Sequence, residues 1–160
     1  MAGSTTKKVL IRRFDREPLT GFVNPLTYLL AEGIELLTPS GTVSVVPYPD
    51  IKTVCFVKDF DSSEPDQEKK VFQNRPKMDG LWVRMQLRDA EILDGILSNN
   101  LLQLGGEGFT VVPPDPNSNN QKLFVPRAAL RQIHVLGVVG SPLKPRKSKP
   151  VSKDQGRLFD

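Results

Sequence analysis

Histidine and cysteine are almost missing from this 160-residue chain, which has one of each, His134 and Cys55. A single cysteine excludes an internal disulfide and any site built from several thiolates. A single histidine leaves a transition-metal site with few candidate ligands. No apolar run approaches the roughly 20 residues that span a bilayer. The opening MAGSTTKK lacks the apolar stretch of a signal peptide. A cytoplasmic location with no membrane partner is the expectation. Most of the chain also lacks an excess of either charge. Residues 141–160 hold Lys144, Arg146, Lys147, Lys149, Lys153 and Arg157 against Asp154 and Asp160, which is the whole net charge of +4. Residues 1–140 balance to zero, so electrostatics alone does not draw that part onto nucleic acid.

What is present is a repeat. Val9–Val23, VLIRRFDREPLTGFV, returns as Val83–Leu97, VRMQLRDAEILDGIL. Asp15 falls on Asp89, Glu17 on Glu91, Leu19 on Leu93 and Gly21 on Gly95. One residue later, Gly33-Ile34 falls on Gly108-Phe109. After a longer insertion, Val46-Pro47 falls on Val125-Pro126, Ile51 on Leu130 and Val54 on Ile133. Three aligned stretches in one order point to internal duplication. Each copy is near sixty residues, where a lone core is marginal. The copies are therefore expected to pack on each other or on a second chain.

The 12 glycines and 14 prolines suit short strands with many turns. Strands are expected over Lys8–Asp15, Leu19–Asn24, Ile34–Thr38, Thr42–Val46 and Ile51–Lys58. In the second copy they are expected over Leu81–Arg88, Ile92–Ser98, Phe109–Val112, Leu123–Val125 and Gln132–Val139. Pro25–Glu32 has helix-like spacing, but its counterpart runs into Gly105-Gly106-Glu107-Gly108, which argues for a loop in both copies. Gly21 and Gly95 mark a bend or a close backbone approach. The organisation expected is a first small barrel at 1–58, an acidic linker at 59–80, a second barrel at 81–140 and a disordered basic tail at 141–160.

Five short strands with a turn before the last describe a small SH3-like or Sm-like barrel. On VRMQLRDAEILDGIL, GFTVV and LFVPRAALRQIHVLG, the second copy resembles the bacterial Sm-like RNA chaperone. That resemblance implies an all-β fold of two tandem five-stranded barrels, in pseudo-twofold or ring-like packing. The chaperone's paired Lys-His is replaced here by Pro126-Arg127. The whole chain also resembles duplicated bacterial proteins of unassigned activity.

Candidate chemistry is sparse. By strand alternation His134 and Cys55 point outward or toward the other copy, away from any partner base. The Gly105–Gly108 run reads as a hairpin turn rather than a phosphate loop, since no Lys-Ser/Thr follows. Asp89, Glu91, Asp94, Asp15 and Glu17 read as solvated residues at hairpin tips. Arg75, Lys77, Arg84 and Arg88 around Trp82 offer a minor reading as a basic strip for single-stranded nucleic acid. No catalytic set, metal site or cofactor is expected.

The tail carries more. Lys144, Arg146, Lys147, Lys149 and Lys153 lie among prolines and serines, a form suited to salt-sensitive nucleic-acid contact or to solubility. The closing Gln155-Gly156-Arg157-Leu158-Phe159-Asp160 resembles the Q-x-x-L-F peptide that docks bacterial replication and repair proteins on the sliding clamp. The resemblance assigns that contact to Gln155, Leu158 and Phe159. The reading is a non-catalytic binding or adaptor protein tied to nucleic-acid machinery through its tail, with self-association open. The alternative is a regulatory domain that holds a small ligand between the barrels.

Overall fold

A computed structural model describes residues 6–60, 70–100, 102, 105–114 and 120–140. Among these residues, runs rich in Val, Ile, Leu and Phe, broken by Asp, Pro and Gly, form ten strands. The first half holds β1 (Lys7–Arg13), β2 (Leu19–Val23), β3 (Gly33–Leu37), β4 (Val43–Pro47) and β5 (Ile51–Val57). The second holds β6 (Gly80–Leu87), β7 (Ile92–Leu97), β8 (Gly108–Val112), β9 (Asn120–Pro126) and β10 (Leu130–Val139). A 3₁₀ turn precedes the last strand of each half, at Tyr48–Asp50 and Arg127–Ala129. Pro25–Glu32 is a turn with a single bridge from Leu29 to Ile34, and no helix forms there. The Asn24 side chain accepts the Leu26 N–H and fixes that turn.

All ten strands lie in one antiparallel sheet in the order β10-β6-β7-β8-β9-β5-β1-β2-β3-β4. Each half runs fifth, first, second, third, fourth. The repeat holds residue by residue in the pairing register. Val9 opposite Gly21 returns as Val83 opposite Gly95. Phe22 opposite Leu37 returns as Ile96 opposite Val112. Gly33 opposite Pro47 returns as Gly108 opposite Pro126. Val9 opposite Phe56 returns as Val83 opposite Val135. Even the irregularity between Arg12 and Arg13 has its counterpart at Leu130–Gln132.

The halves join where β5 pairs with β9, Val54 opposite Phe124 and Cys55 opposite Leu123. A fifth strand thus meets a fourth strand. The relation is head-to-tail, of the ring-like kind, because a twofold axis would pair like strands with like.

This junction interleaves two cores. One cluster takes Val9, Ile11, Val23, Ile34, Leu36, Val46, Ile51, Val54 and Phe56 from the five strands of the first half, and Phe124 from the second. The other takes Val83, Met85, Leu87, Leu93, Val111, Leu123 and Val125, and Cys55 and Val57 from the first half. Successive residues of a strand point to opposite faces. Val54 and Phe56 therefore serve one core while Cys55 and Val57 serve the other. Phe124, 1% exposed, packs edge-on to Tyr28, with ring centroids 6.1 Å apart.

Gly21 and Gly95 mark close approach, not turns. A Cβ on Gly21 would lie 2.6 Å from the Leu37 carbonyl oxygen, and one on Gly95 2.5 Å from Val111 Cγ2. Neither glycine has a positive φ. Gly21→Val and Gly95→Val are each expected to cost about 1–3 kcal/mol through overpacking. Thermal denaturation checks this, and an unchanged midpoint in both would show that the neighbours yield.

Candidate binding surfaces at the seam

The sequence placed acidic residues at solvated hairpin tips, and Asp94 corrects that reading. Its side chain is fully buried, 0% exposed, on β7. Its oxygens accept from Arg84 Nε at 2.6 Å, Arg84 Nη2 at 2.9 Å, Trp82 Nε1 at 3.1 Å and the Phe72 N–H at 3.0 Å. Its own N–H donates to the Lys70 carbonyl. A buried carboxylate needs this many donors, because desolvation alone would neutralise it. Burial pushes the Asp94 carboxyl up, but Arg84, the Phe72 N–H and Trp82 outweigh it and hold it below the ordinary range.

The network docks the segment from Lys70 onto the second half. Phe72 stacks edge-on against Trp82, and Arg75 donates to the Val138 carbonyl of β10. This part of the expected acidic linker is therefore bound to β7 and β10. The basic strip about Trp82 is likewise engaged, since Arg84 and Arg75 serve Asp94 and Val138.

Asp89 and Glu91 form a second group, across the two halves. Lys52 of β5 pairs with Asp89 at 2.7 Å and with Glu91 at 2.5 Å, and Lys70 also pairs with Glu91. Burial pushes both carboxyls up, yet the lysines hold them below their usual values. Arg88 reaches back to the Pro49 carbonyl and lies over the Phe14 ring, 4.1 Å from its centroid. These contacts clasp the second half's first hairpin to the first half beside the β5–β9 ladder.

A cleft of about 460 Å³ reaches the seam at Lys122 and Phe124 of β9. Its apolar lining includes Leu29, Ile96, Phe109, Val111 and Phe124, and its polar groups include Asp79, Glu107, Thr110 and Lys122. Leu29 belongs to the first half, Asp79 to the segment before β6 and the others to the second half. The Lys122 ammonium also lies 5.2 Å from the Phe56 ring centroid. Arg127, from the Pro126-Arg127 pair, hydrogen-bonds the Gly106 carbonyl and covers the Phe109 ring, which fixes the Gly105–Gly108 loop at the cleft's mouth. An apolar floor with a few polar groups of both signs suits a small amphipathic molecule.

Cys55 is buried in the second half's core and His134 is exposed on β10, opposite Arg84. The two are far from forming a pair. Gln155, Leu158 and Phe159, with Lys144, Arg146, Lys147, Lys149 and Lys153, lie outside the described residues. The sequence missed the seam itself. Its signal was the apolar run Val54–Val57, where the alternation of a one-sided strand stops.

An all-β chain built on a repeated five-strand unit is the class the geometry defines. Residues 5–137 match the model of a family of unknown function (DUF6982), and the chain belongs to that family. No curated protein and no solved structure matches the chain.

Asp94→Asn and Arg84→Ala are each expected to lower stability by about 1–3 kcal/mol at neutral pH, since each leaves a buried polar group short of its charged partner. The pH dependence has a definite sign. Asp89, Glu91 and Asp94 all sit below their ordinary values of 3.8, 4.5 and 3.8. Between the native and ordinary values the unfolded chain holds more protons, so stability is full above the ordinary range and falls as pH drops through the native values. Melting curves from neutral pH down to about pH 3 test this, and Asp94→Asn should flatten the acid limb.

Proposed function

We propose that this protein is a non-catalytic binding adaptor, built as two tandem Sm-like or SH3-like small barrels with a partner-contacting tail. The tandem-barrel reading is supported by the repeated strand order and register. It is also supported by the way five neighbouring strands all feed one core, which requires the sheet to curl. The binding reading is carried by one observation: the carboxylates on which acid–base chemistry would depend are held ionised by structural partners. Asp94 is held by Arg84, and Asp89 and Glu91 by Lys52. A catalytic carboxylate pair needs environments that push its two pKa values apart. Here all three move down together.

The partner contact is assigned to the tail. There Lys144, Arg146, Lys147, Lys149 and Lys153 supply charge for nucleic acid, and Gln155, Leu158 and Phe159 supply the clamp-type peptide. Two adjacent apolar residues after a basic polar run are suited to filling a partner's pocket. The test is binding of the full chain to the sliding clamp of its own organism, beside a Leu158→Ala/Phe159→Ala variant. Loss of binding in the variant is expected, and absence of binding by the parent would refute the clamp contact. Removal of residues 141–160 is expected to leave the melting temperature unchanged.

A second reading is favoured by the cleft. Its volume and lining suit a small ligand held chiefly by the second half, with Leu29 of the first half at its wall. Phe109→Ala, which strips one wall, should abolish any thermal shift that a ligand library produces in the parent.

A further inference from the structure

We propose that the protein assembles head-to-tail, with β10 of one copy pairing to β4 of a second copy as β9 pairs to β5 within the chain. The argument starts from the repeat. The seam joins the fifth strand of one half to the fourth strand of the other. Among the described residues the sheet ends on the two remaining strands of those kinds, β10 and β4. Each molecule therefore presents one free copy of each partner in a junction it already makes once.

The free edges are also apolar. Val43 and Val45 on β4 are 61% and 43% exposed, and Val135, Leu136 and Val138 on β10 are 58%, 43% and 61% exposed. Two of their equivalents inside the seam are covered, Phe124 for Val45 and Phe56 for Val135, while Lys122, the equivalent of Val43, is exposed. An uncovered apolar edge strand is a template for another chain. The edge is also open in its backbone. Glu35, opposite Val45, sends its N–H away from β4 to the Tyr28 carbonyl. The Glu35–Val45 pair is thus a non-hydrogen-bonded one, and Val45 turns its N–H and C=O to the free edge.

Charge agrees. Within the chain, Lys52 meets Asp89 and Glu91 across the seam. By the repeat, Lys52 corresponds to Arg131, and Asp89 and Glu91 correspond to Asp15 and Glu17. Arg131 of one copy would face Asp15 and Glu17 of the next, and all three are exposed in the single chain. The seam register transfers as Ile133 opposite Val45, His134 opposite Ser44 and Val135 opposite Val43. Each added copy keeps one edge of each kind until the series closes, so the assembly is a ring where the rotation between copies closes and an open series where it does not.

The test is sedimentation of the full chain, with two edge variants. The parent is expected at an integer multiple of 17.8 kDa. Val45→Glu or Val135→Lys alone should dissociate it, since the seam equivalents of these positions, Phe124 and Phe56, are apolar and covered. Both positions are exposed, so each monomer should keep its melting temperature. As a direct check on register, Ser44→Cys with His134→Cys should give chains linked by disulfides between copies. A parent that stays monomeric at all concentrations would overturn the proposal. So would an assembly indifferent to both charges, or a Cys pair that never cross-links.

Discussion

The β5–β9 ladder is the constraint on which the rest of the molecule depends. A five-stranded unit of this size has two open edges and too little interior to be stable with ease. Joining a fifth strand to a fourth removes one edge from each unit and, through alternation, threads each unit's side chains into the other's core. Phe124 is the clearest case. It belongs to the second copy in sequence and to the first in packing, and its full burial stabilises that core by roughly 1.5–3 kcal/mol. Neither half has a complete core without the other.

Electrostatics then holds the segment between the copies in place. Asp94 lies too deep to be solvated, so it gathers Arg84, Trp82 and the Phe72 backbone about itself. Those donors come from two stretches, β6 and the docked segment, and the same segment reaches β10 where Arg75 donates to the Val138 carbonyl. The Lys52 clasp does the same across the seam. These carboxylates are thus committed to shape. The cleft and the two edge strands draw on different parts of the described chain.

Much of the strand plan was legible in the sequence. Alternation, turn residues and the repeat located all ten strands to within a few residues, and the loop at Pro25–Glu32 followed from comparing its two copies. What was not legible is tertiary. Asp89, Glu91 and Asp94 look alike in a row of turn residues, and only the arrival of Arg84 and Trp82 from β6 separates Asp94 from the others. The same holds for Arg84 and Arg75, which read as free cations until their acceptors are seen. The seam left one trace, the unbroken apolar run of β5, but a run of that kind does not name the strand it will lie against.

The differences between the two copies are as informative as the repeat. Leu123 and Phe124, which fill the seam, become Ser44 and Val45 on the free strand. Phe56 becomes Val135, and buried Cys55 becomes exposed His134. Each change makes the outer strand smaller or more polar than its inner counterpart. That is the pattern expected if the inner junction must never open and the outer one must form between separate, soluble molecules. An edge meant only for solvent would carry charge at these places, as exposed edges do when pairing is to be avoided. Val45 and Val135 instead keep an apolar character, reduced from Phe124 and Phe56 but not erased, and Val43 is apolar where its inner counterpart is Lys122.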